Sequence, residues 1–363
     1  MKPKTHAQFC FSFCLIFLFL FLFLFLFLFL FLFLFLFLFL FLLFLVSYFL
    51  VVCEMSTSSS SCSMDLTWVV HDNIHEFKEC TFMFLEQAPL INQWLLNVVN
   101  LPKDQLEALY PGILLRSVRD ERTGECVGAI AQSRGKPVNL AGCRMEVAAF
   151  CGKSYGQESL RDGQQMCGVI GPERIACTFA GASLCYFSGL NHVVHEEIDL
   201  WELSEVPDST ISAYGHAGGG GAMRAAAPDE VGLVAGWLAD FEREAVPLNQ
   251  SPASDVRARV FVERRDCMLW IGEDGRPGAL ACFNRTICGK WRSIGPVYTP
   301  PEFRCRGMAT RLVTHMCLQL LSASMRATLY TDPSNPVPNG IYAKIGFKRL
   351  ERVLMIHYFN RPD

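Results

Sequence analysis

The sequence predicts an α/β chain built on a mixed (α+β) sheet, and three observations carry that prediction. In the second half, apolar runs at helical spacing alternate with short strand-like runs, so helices fall between strands. At residues 294–310 a strand passes through a turn directly into an amphipathic helix. Between Asp208 and Arg224 the chain is rich in Ser, Ala and Gly, with Gly218 to Gly221 consecutive, which is the composition of a linker. A chain of 363 residues has the length of about two ordinary domains. The reading is therefore a hydrophobic tract over 1–54, a Ser-rich segment over 55–64, a first lobe over 65–207, a linker over 208–221 and a second lobe over 222–363.

The 51% hydrophobic content is inflated by the Phe-Leu alternation that fills most of the stretch from Phe9 to Cys53. That tract is far longer than the roughly 20 residues that span a bilayer. It has two readings. A translated simple repeat places the start of the functional chain near Met55, whereas Lys2 and Lys4 ahead of the tract fit the positive flank of a membrane anchor. The expected location of the folded parts is the cytoplasm, with membrane attachment only through residues 9–53. A formal charge of -3 offers no concentrated basic surface, so nucleic acid is not an expected partner. The 16 cysteines show no CxxC pair or four-ligand spacing beyond the tract, so free thiols are expected and no metal.

In the first lobe, residues 90–101 read as helix and residues 112–118 and 126–131 as strands. Arg122-Thr-Gly-Glu-Cys-Val-Gly-Ala-Ile-Ala and Glu273-Asp-Gly-Arg-Pro-Gly-Ala-Leu-Ala each read as a hairpin, with Gly124 or Gly275 at the turn. Their likeness is either chance or the trace of a repeated fold. In the second lobe the expected order is strand 223–226, helix 230–245, helix 255–263, strand 268–272, strand 278–284, strand 294–298 and helix 308–321. Strand 327–330, helix 339–345 and two final strands at 348–349 and 353–359 follow.

The segment Ile294-Gly-Pro-Val-Tyr-Thr-Pro-Pro-Glu-Phe-Arg-Cys-Arg-Gly-Met-Ala-Thr carries the chemistry. Backbone N–H groups at a helix N-terminus lack intrahelical partners and lie at the positive end of the dipole, a site suited to pyrophosphate. Gly307 lets phosphate approach the backbone, Ala309 is small, and Arg304 and Arg306 add charge. Downstream stands Asn335-Pro-Val-Pro-Asn-Gly-Ile-Tyr342-Ala-Lys-Ile-Gly-Phe347.

Arg304-Cys-Arg-Gly-Met-Ala resembles the R/Q-x-x-G-x-G/A acyl-CoA signature of the GNAT superfamily of N-acetyltransferases, and the Asn335 to Phe347 segment resembles its N-x6-Y-x3-G-F/Y segment. The resemblance implies a GNAT fold that uses acetyl-CoA as co-substrate and a primary amine as acceptor, without metal. It implies that main-chain groups of Val297, Tyr298 and Thr299 pair with the pantetheine arm. Arg304, Cys305, Arg306, Gly307, Met308, Ala309 and Thr310 would hold the pyrophosphate, and Asn335 the pantetheine. Tyr342 would protonate the leaving thiolate, a phenol of pKa about 10 serving a thiol of about 8.5. Cys305 lies where it would face phosphate, which argues against a covalent acyl-cysteine.

The general base has two candidates, Glu273 at a strand end and Asp332 after a strand, each of which also suits a turn. His71 with His75, and His192 with His195, lack an HExxH frame or a third ligand and read as ordinary histidines. Phe82-Met-Phe-Leu85 reads as core, and Gly218 to Gly221 lacks a following GK[ST]. The whole stretch from Asp65 resembles GNAT proteins in which a degenerate lobe precedes the active one, through Phe84-Leu-Glu-Gln-Ala-Pro-Leu-Ile-Asn-Gln, Gly168-Val-Ile-Gly-Pro-Glu173 and Gly295-Pro-Val-Tyr-Thr-Pro-Pro-Glu-Phe-Arg. Gly168 to Glu173 has no basic residue and the wrong spacing for CoA. Two functions are implied: acyl transfer by direct attack in a ternary complex, or a non-catalytic acyl-CoA-binding scaffold on the same fold.

Overall fold

One order of elements occurs twice along the chain. The first half runs β1 (Leu66–His71), α1 (Ile74–Leu85), α2 (Gln93–Asn100), α3 (Lys103–Leu109), β2 (Leu114–Asp120), β3 (Cys126–Gln132), β4 (Val138–Leu140), α4 (Met145–Asp162), β5 (Gly168–Pro172), α5 (Glu173–Leu184) and β6 (Leu190–Leu203). The second runs β7 (Ala222–Ala225), α6 (Val231–Ala245), α7 (Ser254–Glu263), β8 (Cys267–Ile271), β9 (Pro277–Ile287), β10 (Trp291–Tyr298), α8 (Met308–Ser322), β11 (Arg326–Thr331), α9 (Pro336–Ile345) and β12 (Lys348–Asn360). This computed structural model describes residues 64–215, 221–245 and 254–360. The Phe-Leu tract and nearly all of the Ser-rich segment lie outside them. Among the described residues no helix is long and apolar enough to cross a membrane.

All strands join one mixed sheet in the order β1-β2-β3-β4-β5-β12-β6-β11-β10-β9-β8-β7. Exchanging the halves returns the same order reversed, so the sheet has an approximate twofold relation. The likeness between the two hairpin sequences is therefore that of equivalent parts: Gly124 and Gly275, both at φ 73°, turn β2 into β3 and β8 into β9. The final strand of each half sits in the other half's sheet, β6 against β11 and β12 against β5. β6 and β12 pair with each other from Lys348↔Glu202 to Asn360↔Leu190. The backbone hydrogen bonds that complete each half's sheet thus come from the other half.

Several expectations are corrected by tertiary packing. The two final strands are one, β12, with an irregularity between Arg349 and Glu351 that hides its continuity in the sequence pattern. α9 starts at Pro336 rather than Asn339, since proline at a first helical position loses no hydrogen bond. The stretch expected as linker is partly built: residues 208–215 are helical, and Thr210 Oγ1 donates to Lys344 O at 2.8 Å. Gly221 packs so closely on β8 that an added Cβ would meet Ile271 O at 2.0 Å, while residues 216–220 lie outside the described residues.

The core around the site follows from α8. Leu312, Val313, Met316, Cys317 and Leu320 recur on one face and are buried against Trp270, Ala279, Ala281 and Leu329. Each such large side chain contributes about 1.5–3 kcal/mol by burial. In the first half, Arg116 and Glu158 form an ion pair with side chains only 10% and 11% exposed, and Trp68 Nε1 donates to the same carboxylate at 2.9 Å.

Burial is the largest influence on Glu158 and pushes its pKa up, but the bonds from Arg116 and Trp68 outweigh it, so the carboxyl sits below its ordinary 4.5. Its stabilisation is complete above about pH 4.5 and is lost as pH falls through the lower folded-state pKa. Glu158→Gln is expected to cost about 3 kcal/mol at pH 7, because Arg116 is left buried without an opposite charge, keeping only its bond to Leu115 O. Urea unfolding should show that gap shrinking as pH falls below 4; a constant gap would refute the assignment.

Candidate functional site

The two parallel strands at the centre of the second half part company. β10 and β11 pair only through Trp291↔Arg326, Arg292↔Ala327 and Ser293↔Thr328. From Ile294 onward β10 keeps its partner β9, as in Val297↔Ala281 and Tyr298↔Leu280, but has no ladder partner on the β11 side. Register shifts on either side of Ile294 bend β10 at this point. Val297 and Tyr298 therefore lie along a strand edge open to an extended ligand, with Thr299 just beyond.

Beyond the open edge the chain makes a 3-10 turn, Pro301–Phe303, and enters α8. Cys305 and Gly307 both take positive φ, 61° and 71°, and Gly307 caps the helix without any side-chain hydrogen bond. Arg311 N is the first helical amide bonded back, to Gly307 O at 3.0 Å. The amides of Met308, Ala309 and Thr310 are thus the unpaired donors of the N-terminus, beside the exposed Cys305 and Arg306. Met308 packs where Gly278 lacks a side chain, its Sδ 2.3 Å from the position of an added Cβ, which fixes the start of the helix against β9.

The charges around this loop include some the sequence did not disclose. Arg304 Nη2 bonds Glu244 Oε2 of α6 at 2.6 Å, Arg304 Nε donates to Thr299 O at 2.9 Å, and its guanidinium lies 5.8 Å from the Tyr298 ring centroid. Arg306 donates to Glu302 O at 2.8 Å. Tyr214, from the stretch expected as linker, lies 4.0 Å from where a Cβ on Gly307 would stand and gathers two cations: Lys344 Nζ donates to its hydroxyl at 2.6 Å, and Arg311 lies 5.5 Å from its ring. An aromatic residue inside a small-residue stretch was the only local signal for Tyr214.

Glu244 also accepts from Tyr298 OH at 3.3 Å, so a carboxylate stands beside the loop. Glu244→Gln removes a charge that an incoming phosphate would have to approach. Exposed pairs are worth at most about 1 kcal/mol, so the KM for an acyl-CoA is expected to fall by up to about fivefold. A KM that rises instead would mean that Glu244 serves to hold Arg304 in place.

Tyr342 lies on α9 in the core beneath this loop, 8% exposed, with its ring edge-on to Phe347 at 5.8 Å. Burial, with a smaller contribution from Cys317, pushes its phenol well above the ordinary value of 10. Asn335 is exposed at the N-cap of α9, and its side chain makes no capping bond. Thr299 Oγ1 is buried without a partner. Glu273 is exposed in the β8–β9 turn, and Asp332 Oδ1 accepts from Ser334 N at 2.7 Å, so both occupy turn positions. His195 stacks on His357 with ring centroids 4.3 Å apart.

The equivalent place in the first half has a short parallel ladder too, but a much shorter connection after it. β4 and β5 pair at Val138↔Val169 and Asn139↔Ile170. Only residues 141–144 separate β4 from α4, against 299–307 between β10 and α8. Within that short connection Gly142 N is already bonded to Asn92 Oδ1 at 2.9 Å. Gly168–Pro172 is a strand, and Gly168 is a glycine because β12 crosses it, with Ile356 O 1.9 Å from an added Cβ.

An open parallel pair thus leads along the chain to an uncapped helix N-terminus. The family model of FR47-like proteins matches residues 281–356, from β9 into β12. Among solved structures, a GNAT-family acetyltransferase from Colwellia psychrerythraea is similar at 10% identity and a TM-score of 0.50, over 81% of this chain and 100% of that one. A GCN5-related N-acetyltransferase from Sphaerobacter thermophilus is similar at 16% identity and 0.49, over 82% and 96%. A tandem GNAT protein from the clavulanic acid biosynthesis pathway is similar at 14% and 0.43, over 82% and 100%. No curated protein matches the sequence. The fold is the GNAT fold, and within it residues 281–356 match the FR47-like family model.

Proposed function

We propose that the chain moves an acetyl or other short acyl group from acyl-CoA, acetyl-CoA in the first instance, to a primary amine by direct attack within a ternary complex. The observation that carries this is the end of the β10–β11 ladder at Ser293↔Thr328, after which β10 and its connection lead to the uncapped N-terminus of α8. An extended pantetheine arm can add to the open edge of Val297, Tyr298 and Thr299 as a further strand. The loop from Arg304 to Thr310 takes the pyrophosphate on its amides, with Arg306, Arg311 and Lys344 supplying charge. Asn335 bonds the pantetheine.

A deprotonated amine then attacks the thioester carbonyl, whose oxygen is polarised by a backbone N–H of β10. The C–S bond breaks, and the departing thiolate takes the Tyr342 proton. The first half, with its short connection between β4 and α4, serves as a cover for the acceptor side. Gln93 of α2 reaches across to β11 and donates to Tyr330 OH at 2.6 Å, and Leu90 packs with Leu200, Ile287 and Trp291.

The test is release of free thiol from acetyl-CoA by the whole chain, against a panel of amines, amino acids and peptides. Acceptor-dependent release supports the reading, and a changed order of acceptors in Gln93→Ala would support the covering role. The burial of Tyr342 in the core favours the scaffold reading as the second one. Binding of acetyl-CoA without turnover on any acceptor would select it.

A further inference from the structure

The connection between the two halves reaches the loop that precedes α8. Residues 208–215 are helical and end in a π-helical turn, Ile211–Gly215. That turn is fastened to the second half. Thr210 is buried and its hydroxyl donates to Lys344 O of α9 at 2.8 Å, and Ile211 packs against the core around α8. Gly215 runs so close to α8 that an added Cβ would lie 3.3 Å from Leu318 Cδ1.

Tyr214 is thereby placed beside Gly307 at the start of α8. Lys344 Nζ donates to its hydroxyl at 2.6 Å and lies 5.0 Å from its ring centroid, and the Arg311 guanidinium lies 5.5 Å from the same centroid. Neither cation makes an ion pair among the described residues, whereas Arg292, Arg304, Arg326 and Arg352 each meet a carboxylate. An arginine and a lysine from different helices thus share a neutral ring in place of an acid. Their like charges repel, and both side chains are long and rotatable, so without the ring each gains freedom by turning into solvent. The negative ring face and the phenol oxygen oppose that.

We propose that Tyr214 is a positioning residue of the donor site: it holds Arg311 and Lys344 at the loop before α8, so that preference for donors carrying nucleotide phosphates depends on the connection between the halves. The proposal rests on the acyl-CoA reading above. Two cations fixed before the ligand arrives spare the ordering cost that two free side chains would impose. Their charge-assisted bonds to phosphate oxygens are of the strong kind. Tyr214 exchanges no proton and forms no covalent bond. Its effect falls on the nucleotide end of the donor and leaves the pantetheine arm, which that reading lays along β10, untouched.

The experiment titrates the full chain with acetyl-CoA by calorimetry and with S-acetylpantetheine, which has no phosphate, by ligand-observed NMR. Tyr214→Ala is expected to weaken acetyl-CoA binding about tenfold, the scale of two cation–π contacts. It should also flatten the rise of Kd with salt, since fewer fixed charges meet phosphate. Tyr214→Phe keeps the ring and gives up the bond to Lys344, so its affinity should fall between the two. S-acetylpantetheine should bind all three proteins alike. In an Arg311→Gln, Lys344→Gln background, Tyr214→Ala should add less than about twofold, because the groups it positions are gone. Equal acetyl-CoA affinity in the parent and Tyr214→Ala would overturn the inference and leave the acyl-CoA reading standing. The same loss for acetyl-CoA and S-acetylpantetheine would do so too, by showing that Tyr214 acts only on the packing of α8 and α9. A parent chain that binds no acetyl-CoA would overturn the acyl-CoA reading and the inference together.

Discussion

Gly307→Asp is expected to raise the KM for acetyl-CoA by roughly a hundredfold, about 3 kcal/mol at 1.4 kcal/mol per tenfold, while leaving the fold nearly as stable as before. Gly307 stands at φ 71° with nothing nearer than Tyr214 to a new Cβ, at 4.0 Å, so a side chain has room. Aspartate tolerates the left-handed region better than most residues. As an N-cap its carboxylate can accept from the free amides at the start of α8, and the helix dipole favours its charge. The groups that satisfy the helix are then the groups the pyrophosphate needs, and the ligand also meets a like charge. A thermal melt within a few degrees of the parent, alongside the raised KM, is the predicted pair of results. An unchanged KM would mean that the pyrophosphate does not sit on this helix end.

Tyr342→Phe is expected to lower kcat by about a hundredfold or more, in line with the loss of a positioned general acid, with little change in KM for acetyl-CoA. Phenylalanine fills the same space against Phe347 and Cys317, so the core is preserved and the loss reports the hydroxyl alone. Because burial raises the phenol pKa, the group stays protonated through neutral pH, and any alkaline limb of kcat that it causes lies above pH 10. An alkaline limb near pH 8 that survives in Tyr342→Phe would belong to another group. A variant with full turnover would remove Tyr342 from the chemistry and leave solvent as the source of the thiol proton.

Legibility followed the range of the interactions. The hairpins at Gly124 and Gly275 could be read because a left-handed turn between two strand-like runs is specified within about ten residues. The passage from β10 into α8 could be read for the same reason, since glycine, small residues and an amphipathic repeat are all local. The single course of β12 was not legible, because a bulge at Arg349 and Glu351 breaks the alternation that marks a strand. Tyr214 was hidden by its neighbours: small residues around it suggested a linker, whereas its partners Arg311 and Lys344 are supplied by helices far along the chain.

The sequence by itself determined that a strand, a glycine-containing loop and a helix follow one another at 294–310, and that Arg304, Gly307, Asn335 and Tyr342 stand in an order that resembles the GNAT motifs. Those are consequences of backbone chemistry over short spans. Tertiary structure alone decided where the β10–β11 ladder ends, that Glu244 meets Arg304, that β6 and β12 change places between the halves, and that Tyr214 meets Arg311 and Lys344. The physical reason is that each of these joins residues tens to hundreds of positions apart, whose meeting is set by how two similar half-sheets complete one another's hydrogen bonds.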